Sequence, residues 1–153
     1  MAVSILRTDA WWVQTPTGAA QVTTTATTTR QLLADRSAIE AAHSSDTVPL
    51  DSLHLVSPIT VPCRVVAQLA NYASHAKDAG RNPATDPLAF FRKASGSISG
   101  PFDDIIKPEH VRLLDYEVEI GLVIGRDVPV GTTITEANLS RSEEHTSELQ
   151  SPA

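Results

Sequence analysis

The chain has 153 residues, 41% of them hydrophobic and 20% charged, with a formal net charge of -6. This is the make-up of an ordinary globular protein with a core, and its negative balance argues against a nucleic-acid backbone as partner. The single Cys63 excludes an internal disulfide framework and fits a reducing cytoplasm. The N-terminus lacks a basic region followed by a long apolar run, so no signal peptide is expected. No apolar run approaches the roughly 20 residues of a membrane helix, so no membrane partner is expected either.

In chain order, residues 3–6 and 11–13 read as short strands, with a turn at Thr15-Pro16-Thr17-Gly18. The threonine-rich stretch 22–29 reads as an edge strand or a loop. Thr29 is placed to cap one helix over 30–42, with Leu32, Leu33 and Ile39 as a thin apolar stripe. Residues 1–50 therefore form a small αβ unit without a chemical constellation, and His43 and His54 read as surface residues. A linker is expected over 44–51, a short strand over 53–56 and a buried strand entered at 64–67.

After that strand, Asn71 is a good N-cap for a short helix. On it His75 and Asp78 stand three apart and share a face. A histidine with a carboxylate partner serves as a general base, because the carboxylate fixes its tautomer and raises its basicity. A surface histidine near a helix end is the plainer alternative. A loop over 79–86 leads to a strand over 88–93 that ends in Arg92 and Lys93. Residues 95–101 form a backbone-rich turn able to face an anion, or simply a connection.

Residues 114–124 alternate with period two. Leu114, Tyr116, Val118, Ile120, Leu122 and Ile124 share one face, and Asp115, Glu117 and Glu119 share the other. Carboxylates two residues apart on a strand lie roughly 6.6 Å apart. At an effective dielectric of about 20 they repel by roughly 2.5 kcal/mol. Either water solvates that face or a hard divalent cation reverses the sign of the interaction. Thr135 reads as the N-cap of a further helix.

Asn71-Tyr72 with His75, then Phe91-Arg92-Lys93, Gly100-Pro101 and Asp115-Tyr116-Glu117-Val118-Glu119 resemble, in this order, the fumarylacetoacetate hydrolase family. The resemblance runs from about Pro62 to Leu139. It implies an α+β fold: a mixed β-roll, incomplete here, preceded by the small N-terminal αβ unit. It also implies a divalent-metal-dependent hydrolase or lyase that cleaves C–C bonds of small β-dicarbonyl or oxo-acid substrates such as acylpyruvates. Glu117 and Glu119 match the ligands of Mg²⁺, Mn²⁺ or Ca²⁺, His75 the general base, and Asp78 its acidic partner. Lys93 matches a substrate-holding residue, and Tyr72 is placed beside it in substrate binding. The intact parent is expected to be a cytoplasmic homodimer. Leu69, Ser74 and Ala94 depart from the family's usual Gly, acidic residue and Pro, which leaves the substrate open.

The family pattern is expected to stop near Leu139. Residues 141–151, Arg-Ser-Glu-Glu-His-Thr-Ser-Glu-Leu-Gln-Ser, are what one frame of a widely used short-read sequencing adapter encodes. The organisation expected is thus residues 1–50, a partial catalytic domain over 51–139, and a non-native tail over 140–153. On this reading Glu143, Glu144, His145 and Glu148 are not ligands, and the chain as written is an inactive fragment that folds poorly. A third reading, a binding domain that kept the fold and lost the chemistry, is disfavoured by His75 together with Lys93.

Overall fold

The computed structural model describes residues 3–114, 118–125, 127–135 and, for the backbone, 145–148. It is a mixed arrangement of small antiparallel sheets and a few short helices. Two compact units are distinguished, one of Thr60–Ile98 and one of Met1–Ile59 with Ser99–Ala153.

The first fifty residues hold the core. Strands β1 (Ile5–Arg7), β2 (Trp11–Thr15), β3 (Gly18–Gln21) and β4 (Thr47–Val48) form one antiparallel sheet in sequence order. Alternation on β2 turns Trp11 and Val13 inward. They pack with Ala20, Val22, Leu32, Ile39 and Ala42. The Trp11 indole N–H donates to the Ala26 carbonyl at 2.7 Å, which ties the irregular segment after β3 to the sheet. Gly18 is required where it stands. Its φ is +151°, and a β-carbon there would lie 2.2 Å from the Val48 carbonyl oxygen. The expected linker over 44–51 contains β4 and runs into a 3-10 turn, Leu50–Ser52. Residues 53–56 contribute only one bridge, Val56 to Arg7.

The single helix expected over 30–42 is two helices. α1 (Thr29–Ala34) is capped by Thr28 rather than Thr29, in a capping box with Gln31. Asp35, at φ -97° and ψ 61°, ends α1 and caps α2 (Arg36–Ala42) through the Ala38 N–H. Thr24 donates to the Asp35 carboxylate at 2.6 Å. That hydrogen bond chiefly holds the Asp35 carboxyl below its usual range, aided by the Ala38 N–H and Ser37 and opposed by desolvation. The chain breaks here because Asp35 has partners on both sides of the break. The apolar stripe itself is as expected, with Leu32, Leu33 and Ile39 all buried.

Elsewhere the sheets are small. β5 (Val65–Gln68) pairs antiparallel with β6 (Phe90–Lys93), and β7 (Ile120–Val123) with β8 (His145–Glu148). The strand expected to be buried at 64–67 is not: Val66 is 63% exposed, and Phe90 and Phe91 are also exposed. A two-stranded sheet has only its own two strands to hide side chains. Among the described residues of the long strand expected over 114–124, the regular strand is Ile120–Val123. Of its apolar face, Leu114, Val118, Ile120, Leu122 and Ile124 are exposed by 53–74%. Tyr116, Asp115 and Glu117 lie outside the described residues, as do the helix expected after Thr135 and most of the tail.

Candidate active site

In the unit Thr60–Ile98 the candidate residues sit on a hairpin and one short helix. Register pairs Val65 with Lys93 and Gln68 with Phe90. The chain leaves β5 at the Gln68 end and turns at Ala70, whose φ is 45°. It then enters α3 (Ala73–Asp78), with Tyr72 as N-cap residue. Asn71 is not the cap. Its side-chain amide donates to the Ala89 carbonyl and accepts from the Ala89 N–H, both at 2.8 Å. A partner eighteen positions away in sequence has taken the group that sequence would assign to the helix.

Gly80 ends α3. At φ +70° its N–H donates to the Lys77 carbonyl, and the Arg81 N–H reaches back to Ala76. This is the Schellman arrangement, which a residue with a β-carbon enters only with strain. Ala76 is the buried residue of the helix. His75, Lys77 and Asp78 are exposed.

The side chain recorded against the His75 ring is Tyr72, edge to face, with centroids 6.3 Å apart and planes at 76°. Edge-to-face is one of the favoured geometries of an aromatic pair. The structure records no hydrogen bond or ion pair between His75 and Asp78, although both lie on α3 three positions apart. Lys93 is not drawn to His75. It lies opposite Val65, three pairs from the Gln68 end of the ladder. That is roughly 10 Å at the usual rise of a strand. Its ammonium stands over the Phe91 ring, 5.7 Å from the centroid, a cation–π contact along one strand face.

In the other unit Glu119 is exposed, and its expected partner ligand Glu117 lies outside the described residues. Among the described residues no three of His, Cys, Asp and Glu come together to hold a metal ion. Also among the described residues, no helix is long and apolar enough to cross a membrane.

Sequence reasoning missed Arg81. Its guanidinium donates to the Leu69 carbonyl at 3.3 Å and to the Pro87 carbonyl at 2.6 Å, with the Asp86 carboxylate at 3.9 Å. The available signal was its place directly after the glycine that ends α3.

A family model described as fumarylacetoacetate (FAA) hydrolase C-terminal matches residues 64–139. The chain is similar to oxaloacetate tautomerase Fahd2a, mitochondrial, of Rattus norvegicus, at 35% identity over 79 residues, 52% of this chain and 25% of that protein. It is 34% identical to the human oxaloacetate tautomerase FAHD2A, mitochondrial, over the same shares of the two chains. An uncharacterized protein of Pyrococcus horikoshii is 37% identical over 65 residues, 42% of this chain and 28% of that one. The chain spans about a quarter of the length of these curated relatives. No solved structure matches.

Proposed function

Since the chain belongs to the fumarylacetoacetate hydrolase family through residues 64–139, we propose that the protein carrying this segment is a divalent-metal-dependent enzyme. Its substrates are small oxo-acids or β-dicarbonyls, and its reaction is C–C bond cleavage of the acylpyruvate type. The supporting observation is the placement of His75: exposed, on a short helix, with its ring held against Tyr72. A reacting molecule can reach such an imidazole.

In this reading a His75 nitrogen takes the proton from a water that attacks one carbonyl. The C–C bond breaks toward the carbon next to the other carbonyl, and that carbon takes the proton back. Asp78, on the same helix, offers a carboxylate that stabilises the imidazolium once formed. Tyr72 flanks the substrate, and the Lys93 ammonium attracts its carboxylate. Glu117 and Glu119 would hold the divalent cation, which when bound supplies Lewis-acid polarisation of the carbonyl oxygens. The β-roll completed by further strands is part of the same proposal.

A second reading is favoured by the names of the mammalian relatives, oxaloacetate tautomerases. There His75 takes a proton from the carbon next to a carbonyl, the carbonyl oxygen is protonated to give the enol, and no C–C bond breaks. Both readings need the same base and the same carboxylate-holding cation. Proton NMR of the full-length gene product with Mg²⁺ separates them. An acylpyruvate giving pyruvate and a carboxylic acid supports cleavage. Oxaloacetate whose keto and enol forms equilibrate faster, without loss of carbon, supports tautomerisation. Neither change, at any added divalent metal, contradicts the proposal.

A further inference from the structure

We infer that Asn71 and Arg81 are positioning residues that set the placement of the helix carrying His75, an inference that rests on the reading of His75 as the base. α3 has six residues. A helix that short is not stable alone. No side chain caps its start, and the one side chain it buries is Ala76. Its placement must come from its flanks.

The upstream flank is a side-chain extension of the hairpin. The Leu69 N–H donates to the Ala89 carbonyl at 2.9 Å, one step beyond the Gln68–Phe90 pair. At Ala70 the chain turns through φ 45°, a conformation that a β-carbon disfavours. That turn returns the Asn71 amide to the same residue, where it binds both polar backbone groups of Ala89. The amide thus acts as one more ladder residue.

The downstream flank closes on the same stretch. The Arg81 guanidinium bridges the Leu69 and Pro87 carbonyls. Residues on either side of α3 are therefore tied to positions 69 and 87–89. Asn71 and Arg81 act on His75 only through the backbone between them.

The test uses the full-length gene product and two independent readouts. The first is hydrogen exchange by mass spectrometry of the peptide over 72–80, with a peptide from 10–22 as internal reference. The second is kcat and KM with Mg²⁺ and an acylpyruvate or oxaloacetate. Asn71→Ala and Arg81→Ala should each raise exchange over 73–80 about tenfold or more with the reference unchanged. Each should lower kcat by about 10- to 100-fold, since small displacements of a catalytic group cost that much, with KM changed less than about threefold.

Asn71→Asp keeps the acceptor and loses the donor, and Arg81→Lys reaches one carbonyl rather than two. Both should fall between wild type and the alanine variants, and they keep the test usable where an alanine variant unfolds. Adding His75→Ala to Asn71→Ala should cost less than the product of the two single losses. Unchanged exchange in both alanine variants overturns the inference, and so does raised exchange with unchanged kcat. Full turnover by His75→Ala alone would instead remove the base reading, and the exchange result would still decide whether Asn71 and Arg81 place the helix.

Discussion

Thr24 donates its hydroxyl to the Asp35 carboxylate at 2.6 Å, across eleven positions and at the break between two helices. This bond, with the Ala38 N–H and Ser37 hydroxyl, favours the charged carboxylate and lowers its proton affinity from the usual 3.8. A carboxyl lowered on folding contributes stability above its unfolded value. That contribution is lost as pH falls through the lowered folded value. Thr24→Val should therefore flatten the acid limb of the stability curve and leave its neutral-to-alkaline side parallel to wild type. Thermal melts between pH 2 and about 6 read this. An unaltered acid limb would exclude Asp35 as the source.

The core of the described residues lies almost wholly in the first fifty residues, and single substitutions should report that asymmetry. Leu32 is fully buried, so Leu32→Ala should cost about 2–5 kcal/mol. Thr28→Ala, which removes one half of the capping box, should cost about 1 kcal/mol. Leu122 is 64% exposed, and Leu122→Ala should stay within about 0.5 kcal/mol. Urea unfolding of the 153-residue chain, followed by the fluorescence of Trp11 and Trp12, measures all three. A Leu122 cost equal to that of Leu32 would show that the β7 face is covered after all.

The strands around the Thr15–Gly18 turn were legible, because period-two alternation and turn chemistry are local signals. The break at Asp35 was not, since Leu32, Leu33 and Ile39 keep helical spacing across it. A threonine far upstream decides the break. β4 was hidden for a similar reason: Thr47 and Val48 become a strand by pairing with Ala20 and Ala19. Asn71 has the chemistry of a cap, and the distant Ala89 backbone redirected it. The helix with His75 and Asp78, and its end near Gly80, were legible from local pattern. The lack of a direct His75–Asp78 bond was not, because sharing a helix face does not set side-chain rotamers.

Lys93 should act on substrate binding. In the full-length gene product Lys93→Ala should raise KM about tenfold, in line with the loss of one charge-assisted contact. Metal affinity should be unchanged. Steady-state kinetics with calorimetry of Mn²⁺ separates the two effects. A fall in kcat at constant KM would place Lys93 in the chemical step instead of binding.

The tail permits a check at the level of the gene. β8 pairs with β7 through the backbone, and backbone pairing asks little of a particular sequence. We propose that residues 141–153 are not native to the family segment. Genomic DNA of the source should then depart from the adapter-like codons near Leu139 and carry codons for the helix expected from sequence after Thr135. A locus that encodes Arg141 to Ala153 as they stand would end that proposal.

The proposed chemistry needs two carboxylates and one cation. Calorimetric titration of Mn²⁺ into the full-length gene product, its Glu117→Ala variant and its Glu119→Ala variant tests it most directly. One site per chain is expected, with affinity at least about tenfold weaker in each variant, as for loss of a carboxylate ligand to a hard cation. Mn²⁺ binding of equal strength in all three proteins would contradict the account and return Glu117 and Glu119 to a solvated strand face.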